Sequence, residues 1–273
     1  MIDRTTLGCF ALLLFSTAPV QGQEPRLLSA FFGLDDALPA RANLLCAQAE
    51  GKDGLPVVLS HTVEPEEIQP EDFRIVTRSG AEQTPLCATL RPASDPGEHR
   101  TVLLIGEFGN ASDDPPAKAR VVGDVTSDGT SGDPVNFRGA EIAVTPLESG
   151  PSMVLAEVVS EVPPGGRGSL CPEGTLQTLR VTWNGGVRRP GGEEVGDAER
   201  KLYRVTVEGA AGSSEDIPPA ALAELGDNDN NHFLCLDTAA RALSVAFPGG
   251  HLVDPNQDLN EQTEVPVTGS GTP

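Results

Sequence analysis

The sequence predicts an all-β protein made of Ig-like β-sandwich domains with at most one or two short helices. Three observations predict it. Apolar and β-branched residues occur in short stretches that alternate in and out with period two. Turn formers punctuate them: 30 Gly and 24 Pro in 273 residues, about a fifth of the chain against a usual roughly 12%. Helical periodicity is scarce. Strands this short and this often interrupted pack as sandwiches.

Taken in order, Val57-Val58-Leu59 opens the series. Phe73 to Thr77 alternates and stops at Ser79-Gly80. Thr101 to Ile105 is a continuous apolar run, the pattern of a strand covered on both faces. Arg120 to Val125, Glu141 to Thr145 and Met153 to Val159 follow. Leu179 to Trp183 stops at Asn184-Gly185. Tyr203, Val205 and Val207 share one face, with Arg204, Thr206 and Glu208 on the other. Phe233 to Leu236 and Leu243 to Phe247 flank a turn at Thr238-Ala239-Ala240. The best helix is Pro219 to Leu225, about two turns long, with Pro at its start and Gly226 just beyond.

The N-terminus sets the compartment. Arg4, an apolar run from Leu7 to Phe15, and small or turn-forming residues up to Gly22 form the layout of a secretory signal. The run is too short to span a bilayer, and no later stretch reaches the ~18 residues of a transmembrane helix. The expected organisation is a signal peptide at 1–22, an Ig-like sandwich at 23–116, a second sandwich at 117–252 and a disordered acidic tail at 253–273. Linkers are expected at 110–116 and 163–168, and a mobile hairpin tip at 185–196.

Export makes the cysteines informative. Without Cys9, four remain, and an even count in an exported chain favours disulfides. The short-loop pairing joins Cys46 to Cys87 and Cys171 to Cys235, one bond in each half. No Cys-x-x-Cys and no His at ligand spacing from a Cys supports zinc.

A net charge of −21 repels a polyanion, so nucleic acid is excluded as a main partner. An acidic surface serves solubility or recruits cations or a basic partner.

Leu55 to Ser60, then Val63-Glu64-Pro65, then Pro70 to Ile75, resembles the bacterial Ig-like domains of S-layer and cell-surface proteins. Those domains run from an apolar strand ending in Ser through a Val-acid-Pro turn to a strand with Phe, then to a later strand ending in Gly. Thr101 to Gly109 supplies that later strand, so the resemblance covers 55–109. Leu59 stands where the family has an aromatic. The resemblance implies a sandwich used for spacing or binding, and no catalytic residues.

Catalytic motifs are absent: no Gly-x-Ser-x-Gly, no His-Glu-x-x-His, no phosphate loop, no dinucleotide fingerprint. Two runs of hard oxygens are the candidate metal sites. In the first, Asp227, Asp229 and Asn231 are spaced to offer alternate oxygens to Ca²⁺. The second runs from Asp254 to Asn260. Neither completes an EF-hand, and the Asx-rich turn is the favoured reading of both, because Asn and Asp bond their own backbone. No other cofactor is indicated.

The function expected is an exported, non-catalytic binding or structural module of the cell envelope or extracellular space, secreted or periplasmic, with a protein or glycan partner. The alternative is a secreted hydrolase or metal-dependent enzyme whose active site no motif marks. A cleft gathering His with Asp or Ser distinguishes the enzyme.

Overall fold

A computed structural model describes residues 24–130, 132–159, 169–223 and 229–269. The expected signal peptide at 1–22 lies outside the described residues. The chain is mostly strand: β1 (Leu27–Ala30), β2 (Asp53–Leu59), β3 (Phe73–Thr77), β4 (Glu82–Gln83), β5 (Cys87–Thr89), β6 (Thr101–Gly106), β7 (Pro116–Val121), β8 (Glu141–Ala143), β9 (Met153–Val159), β10 (Gln177–Trp183), β11 (Arg204–Glu208), β12 (Ser214–Ile217), β13 (Ala221–Ala223), β14 (Asn231–Leu236), β15 (Ala242–Phe247) and β16 (Thr263–Thr268). One short α-helix, α1 (Asp197–Arg200), precedes β11.

The first half holds two four-stranded sheets, ordered β1-β2-β6-β5 and β4-β3-β7-β8. Alternation aims Leu55, Val57 and Leu59 of β2 at Phe73 and Ile75 of β3, and these close one core. Each such side chain, fully buried, contributes about 1.5–3 kcal/mol relative to exposure. The continuous apolar run of β6 has its cause here. Val102 and Leu104 enter that core, whereas Ile105 faces a second cluster with Leu38, Ala42 and Cys46, carried by the 3-10 turn Ala40–Leu44.

The second half is one eight-stranded sheet, ordered β12-β11-β15-β16-β9-β10-β14-β13. It curls until Val205 and Phe247 from one end meet Trp183 and Leu234 from the other. Trp183 Nε1 donates to Tyr203 Oη at 3.2 Å, and Tyr203 Oη pairs with His232 Nδ1 at 2.6 Å. The large polar rings of this core are thereby satisfied inside it.

Three sequence expectations are corrected. The division between halves does not fall at 116/117. Strand β7 starts at Pro116 and pairs with β3, Ile75 opposite Ala119 and Phe73 opposite Val121, while Val125, Phe137 and Val144 also join the first core. Pro116 is tolerated as the first strand residue, where its missing N–H is not needed, and 110–114 is closed by a bridge between Asn110 and Asp114. The tail is not disordered up to 269. Strand β16 lies inside the large sheet, antiparallel to β15 and parallel to β9, with Val265 and Val267 packed on the core. Over the described part of the predicted Pro219–Leu225 helix the chain is strand instead: Ala221, Leu222 and Ala223 pair with Cys235, Leu234 and Phe233, and 224–225 lie outside the described residues. A two-turn helix has little stability of its own, and pairing against a buried strand wins.

Candidate functional site

The two halves meet along a polar seam. Glu157 of β9 takes Arg100 of the first half at 2.8 Å and Arg180 of β10 at 2.7 Å. Asn230 Nδ2 donates to Thr101 Oγ1 at 3.0 Å and to the Trp183 carbonyl at 2.6 Å. Gly185 comes so close to Phe31 that a Cβ there would meet the ring at 3.0 Å. The turn predicted at Asn184-Gly185 therefore has a packing role as well as a strand-ending one.

Beside this seam opens a cleft of about 700 Å³. Its first wall is the outer face of β2 and β6, with Pro56 opposite Leu103, extended by Leu38, Leu44 and Leu45 of the 3-10 segment. Leu44 is 84% exposed, a large apolar side chain held in water at the rim. The second wall is polar and comes from the other half: Asp229, Asn230, Asp254 and Gln257, with Arg188. Arg41 and Arg91 also line the first wall. No His, Ser or Cys belongs to the lining among the described residues.

Asp254 is the unusual member. It is 2% exposed. Its Oδ1 accepts from the Asp258 amide at 2.9 Å, while its buried Oδ2 makes no hydrogen bond among the described residues. Burial pushes the carboxyl up to about 6 and the Asp258 charge adds to the rise, against the Asp258 amide bond and weaker help from the Asn256 and Gln257 amides. A buried carboxylate oxygen left unpaired is costly, so the fold tolerates this residue at a loss of stability.

The first predicted calcium run is organised otherwise. Asp227 lies outside the described residues. Asp229 Oδ1 accepts from the Asn231 amide at 2.7 Å, and Asn231 Oδ1 accepts from Thr182 Oγ1 at 2.9 Å. Asp229 and Asn231 thus tie the start of β14 to β10. In the second run, Asn260 Oδ1 accepts from the His251 and Leu252 amides at 3.0 and 2.9 Å, which closes the turn between β15 and β16.

Sequence reasoning missed a different acidic group. Carboxylate oxygens of Asp35, Asp36 and Asp53 lie within 4.8 Å of one another, the arrangement among the described residues with the donor set for a hard cation. Asp53 is buried and accepts from the Asp36 and Phe108 amides at 2.8 and 2.6 Å. Burial pushes it up to about 6, against these two bonds. Asp35 Oδ2 accepts from the Ala111 amide at 2.9 Å. The group joins three segments of the first half. The only signal in the sequence is two adjacent aspartates, with the third 17 residues away from the nearer one.

One pair has a catalytic look. Ser60 Oγ and His61 Nδ1 are 2.9 Å apart. Ser60 is buried and also takes the Arg26 amide at 3.1 Å. The nearby Asp128 is engaged by Thr62 and Thr130 at 2.9 and 2.8 Å, no carboxylate bonds the imidazole among the described residues, and neither Ser60 nor His61 lines the cleft.

Cys171 and Cys235 are bonded as predicted. The predicted Cys46–Cys87 bond is not formed. Both are free thiols, sharing the apolar cluster under the 3-10 segment. Burial pushes the Cys87 thiol up to about 12, with Cys46 beside it adding to the rise.

No family model matches the chain, and no curated protein is similar to it. Among solved structures, it matches a DUF4785 family protein of Legionella pneumophila at 9% identity and a TM-score of 0.18, covering 78% of this chain and 51% of that one. The chain thus spans about half the length of that protein. A likeness at this level carries no argument about fold or function.

Proposed function

We propose that this protein is an exported, non-catalytic binding module that takes an apolar segment of a partner protein into the cleft between its halves. The single observation that carries the reading is the composition of that cleft. It has the volume of a small-molecule or peptide site, one wall of aliphatic side chains, and a few polar groups converging from the other. Among the described residues its lining holds no His, Ser or Cys, so no Ser-His or Cys-His pair faces it. The lining also argues for peptide over glycan, because Phe31 is its one aromatic ring among the described residues, and sugars are held largely by aromatic faces. Export is supported by the N-terminal pattern of Arg4, Leu7 to Phe15 and Gly22, and by the Cys171–Cys235 disulfide. The Ig-like reading of the first half draws support from β2, β3 and β6, which occupy the segments that carry the resemblance.

Selection from a random heptapeptide library on the purified chain tests this. The expected outcome is enrichment of aliphatic sequences whose binding is lost in Leu44→Glu. Leu44 is exposed, so this variant should fold normally. No enrichment, or enrichment that survives Leu44→Glu, overturns the reading.

A further inference from the structure

The cleft pairs an aliphatic wall with a buried carboxylate that lacks a counterion, and we propose that its occupant carries a cation on an apolar stem, an arginine or lysine flanked by aliphatic residues, bound at Asp254. The inference rests on the cleft being the binding site and adds what the site selects. The charged group that acts on Asp254 is itself acidic, Asp258. Asp258 Oδ2 takes only the Asn256 side chain, at 2.7 Å. No ion pair involves Asp254 among the described residues. Of the cations that line the cleft, Arg188 bonds Val253 through its backbone and sends Nη1 to the Gly192 carbonyl at 3.2 Å, and Arg41 and Arg91 lie on the facing wall.

Chemistry selects the occupant. A guanidinium or ammonium supplies both the missing donor and the missing charge to Oδ2, and charge-assisted bonds of this kind are the strong ones. A neutral donor supplies only the first. The long stems of Arg and Lys are aliphatic and lie well against leucine and proline while the head stays polar, which matches a cleft with one wall of each kind. The net charge of −21 draws a basic segment toward the protein at long range. The Gln257 side chain, on the same turn and in the same lining, is held by one long bond, 3.3 Å to the Asp254 carbonyl.

The test uses the full chain and two probes, acetyl-Leu-Leu-Arg-Leu-Leu-amide and the same peptide with citrulline in place of Arg, titrated by calorimetry or NMR. Citrulline keeps the shape and removes the charge. The arginine peptide should bind at least tenfold tighter, the scale of one charge-assisted bond. Asp254→Asn should abolish that preference and leave the citrulline peptide unaffected. Equal binding of the two peptides, with both lost in Leu44→Glu, overturns the cation subsite and leaves the cleft reading standing. A preference for arginine that survives Asp254→Asn overturns the assignment to this residue. Failure of both peptides to bind overturns the proposal together with the cleft reading. The wild-type comparison of the two peptides stands even if Asp254→Asn does not fold.

Discussion

Arg100 and Glu157 join the two halves of the chain through a buried ion pair, Nη2 to Oε1 at 2.8 Å, and Arg180 meets the same carboxylate at 2.7 Å. The Arg100 and Arg180 side chains are almost wholly buried, at 3% and 6% exposure. Burial pushes the Glu157 carboxyl up, but the two guanidiniums outweigh it and hold the group below its ordinary value. Because the cleft lies between the halves, this pair fixes the separation of its walls.

Glu157→Gln should therefore destabilise the protein by about 3 kcal/mol, since two buried guanidiniums lose their counter-charge. Urea unfolding measures it. The pH dependence has a definite sign. A carboxyl with a lowered folded value stabilises above its unfolded value, near 4.5, and that contribution is lost as pH falls through the folded one. A midpoint unchanged in Glu157→Gln would show that the seam does not hold the halves together.

The disulfide carries a second prediction. Cys171–Cys235 closes a separation of 64 residues, worth about 4 kcal/mol on the chain-entropy model. Replacing both by serine should lower the thermal midpoint by several degrees. Non-reducing peptide maps should recover this bond, with Cys46 and Cys87 as free thiols that alkylate slowly until the protein is unfolded. A Cys46–Cys87 link in the mature protein would contradict the structure and restore the pairing expected from sequence.

His232 provides a pH-dependent prediction inside the second core. Burial pushes its imidazole down to about 4. Trp183 Nε1 donates to Tyr203 Oη, so the phenolic proton is directed at His232 Nδ1. Protonating that nitrogen breaks the chain of bonds and buries a charge. The unfolded chain, with His near 6.5, binds the proton more readily. Stability from this residue is thus complete above pH 6.5 and declines as pH falls from 6.5 to 4. In His232→Gln this part of the slope should disappear from melting curves taken across that range.

The strand pattern was legible where period two met a single buried face, as in Phe73–Thr77, and the apolar run Met153–Val159 also coincides in its ends with a strand. It failed where context overrode local preference. Pro266 inside Thr263–Thr268 removes a ladder donor and argues against a sheet interior, yet β16 is held there by β15 on one side and β9 on the other. Ala221–Ala223 has helix-forming residues that predict a helix, and its partner β14 decides otherwise. Of the site, Asp254 was visible only as part of an Asx-rich turn. Its place on a cleft wall depends on a bridge between Arg188 and Val253, residues far apart in sequence, and the opposite wall comes from strands in the other half. No local pattern encodes such a juxtaposition.

Asp254 yields the sharpest stability prediction, because its sign is opposite to that of a paired carboxylate. Burial raises it to about 6 in the folded protein, against about 3.9 unfolded. The folded state therefore holds this proton more tightly. The favourable contribution is fully present below about pH 4 and is lost as pH rises through 6, leaving an unpaired buried charge at neutrality. In Asp254→Asn, the amide oxygen can keep the bond from the Asp258 N–H, and the charge is removed. The variant should melt several degrees higher than the parent at pH 7.5 and close to it at pH 4.5. The falling limb between pH 4 and 6 should flatten at the same time. His232 acts in the opposite direction over much of this range, so the two variants must be compared separately with the parent. A gain in stability alongside loss of the arginine preference would mark Asp254 as a residue whose unpaired charge serves binding rather than folding. A variant that melts lower at pH 7.5 would mean that the carboxylate has a partner in the native protein and that the cost assigned to it is not there.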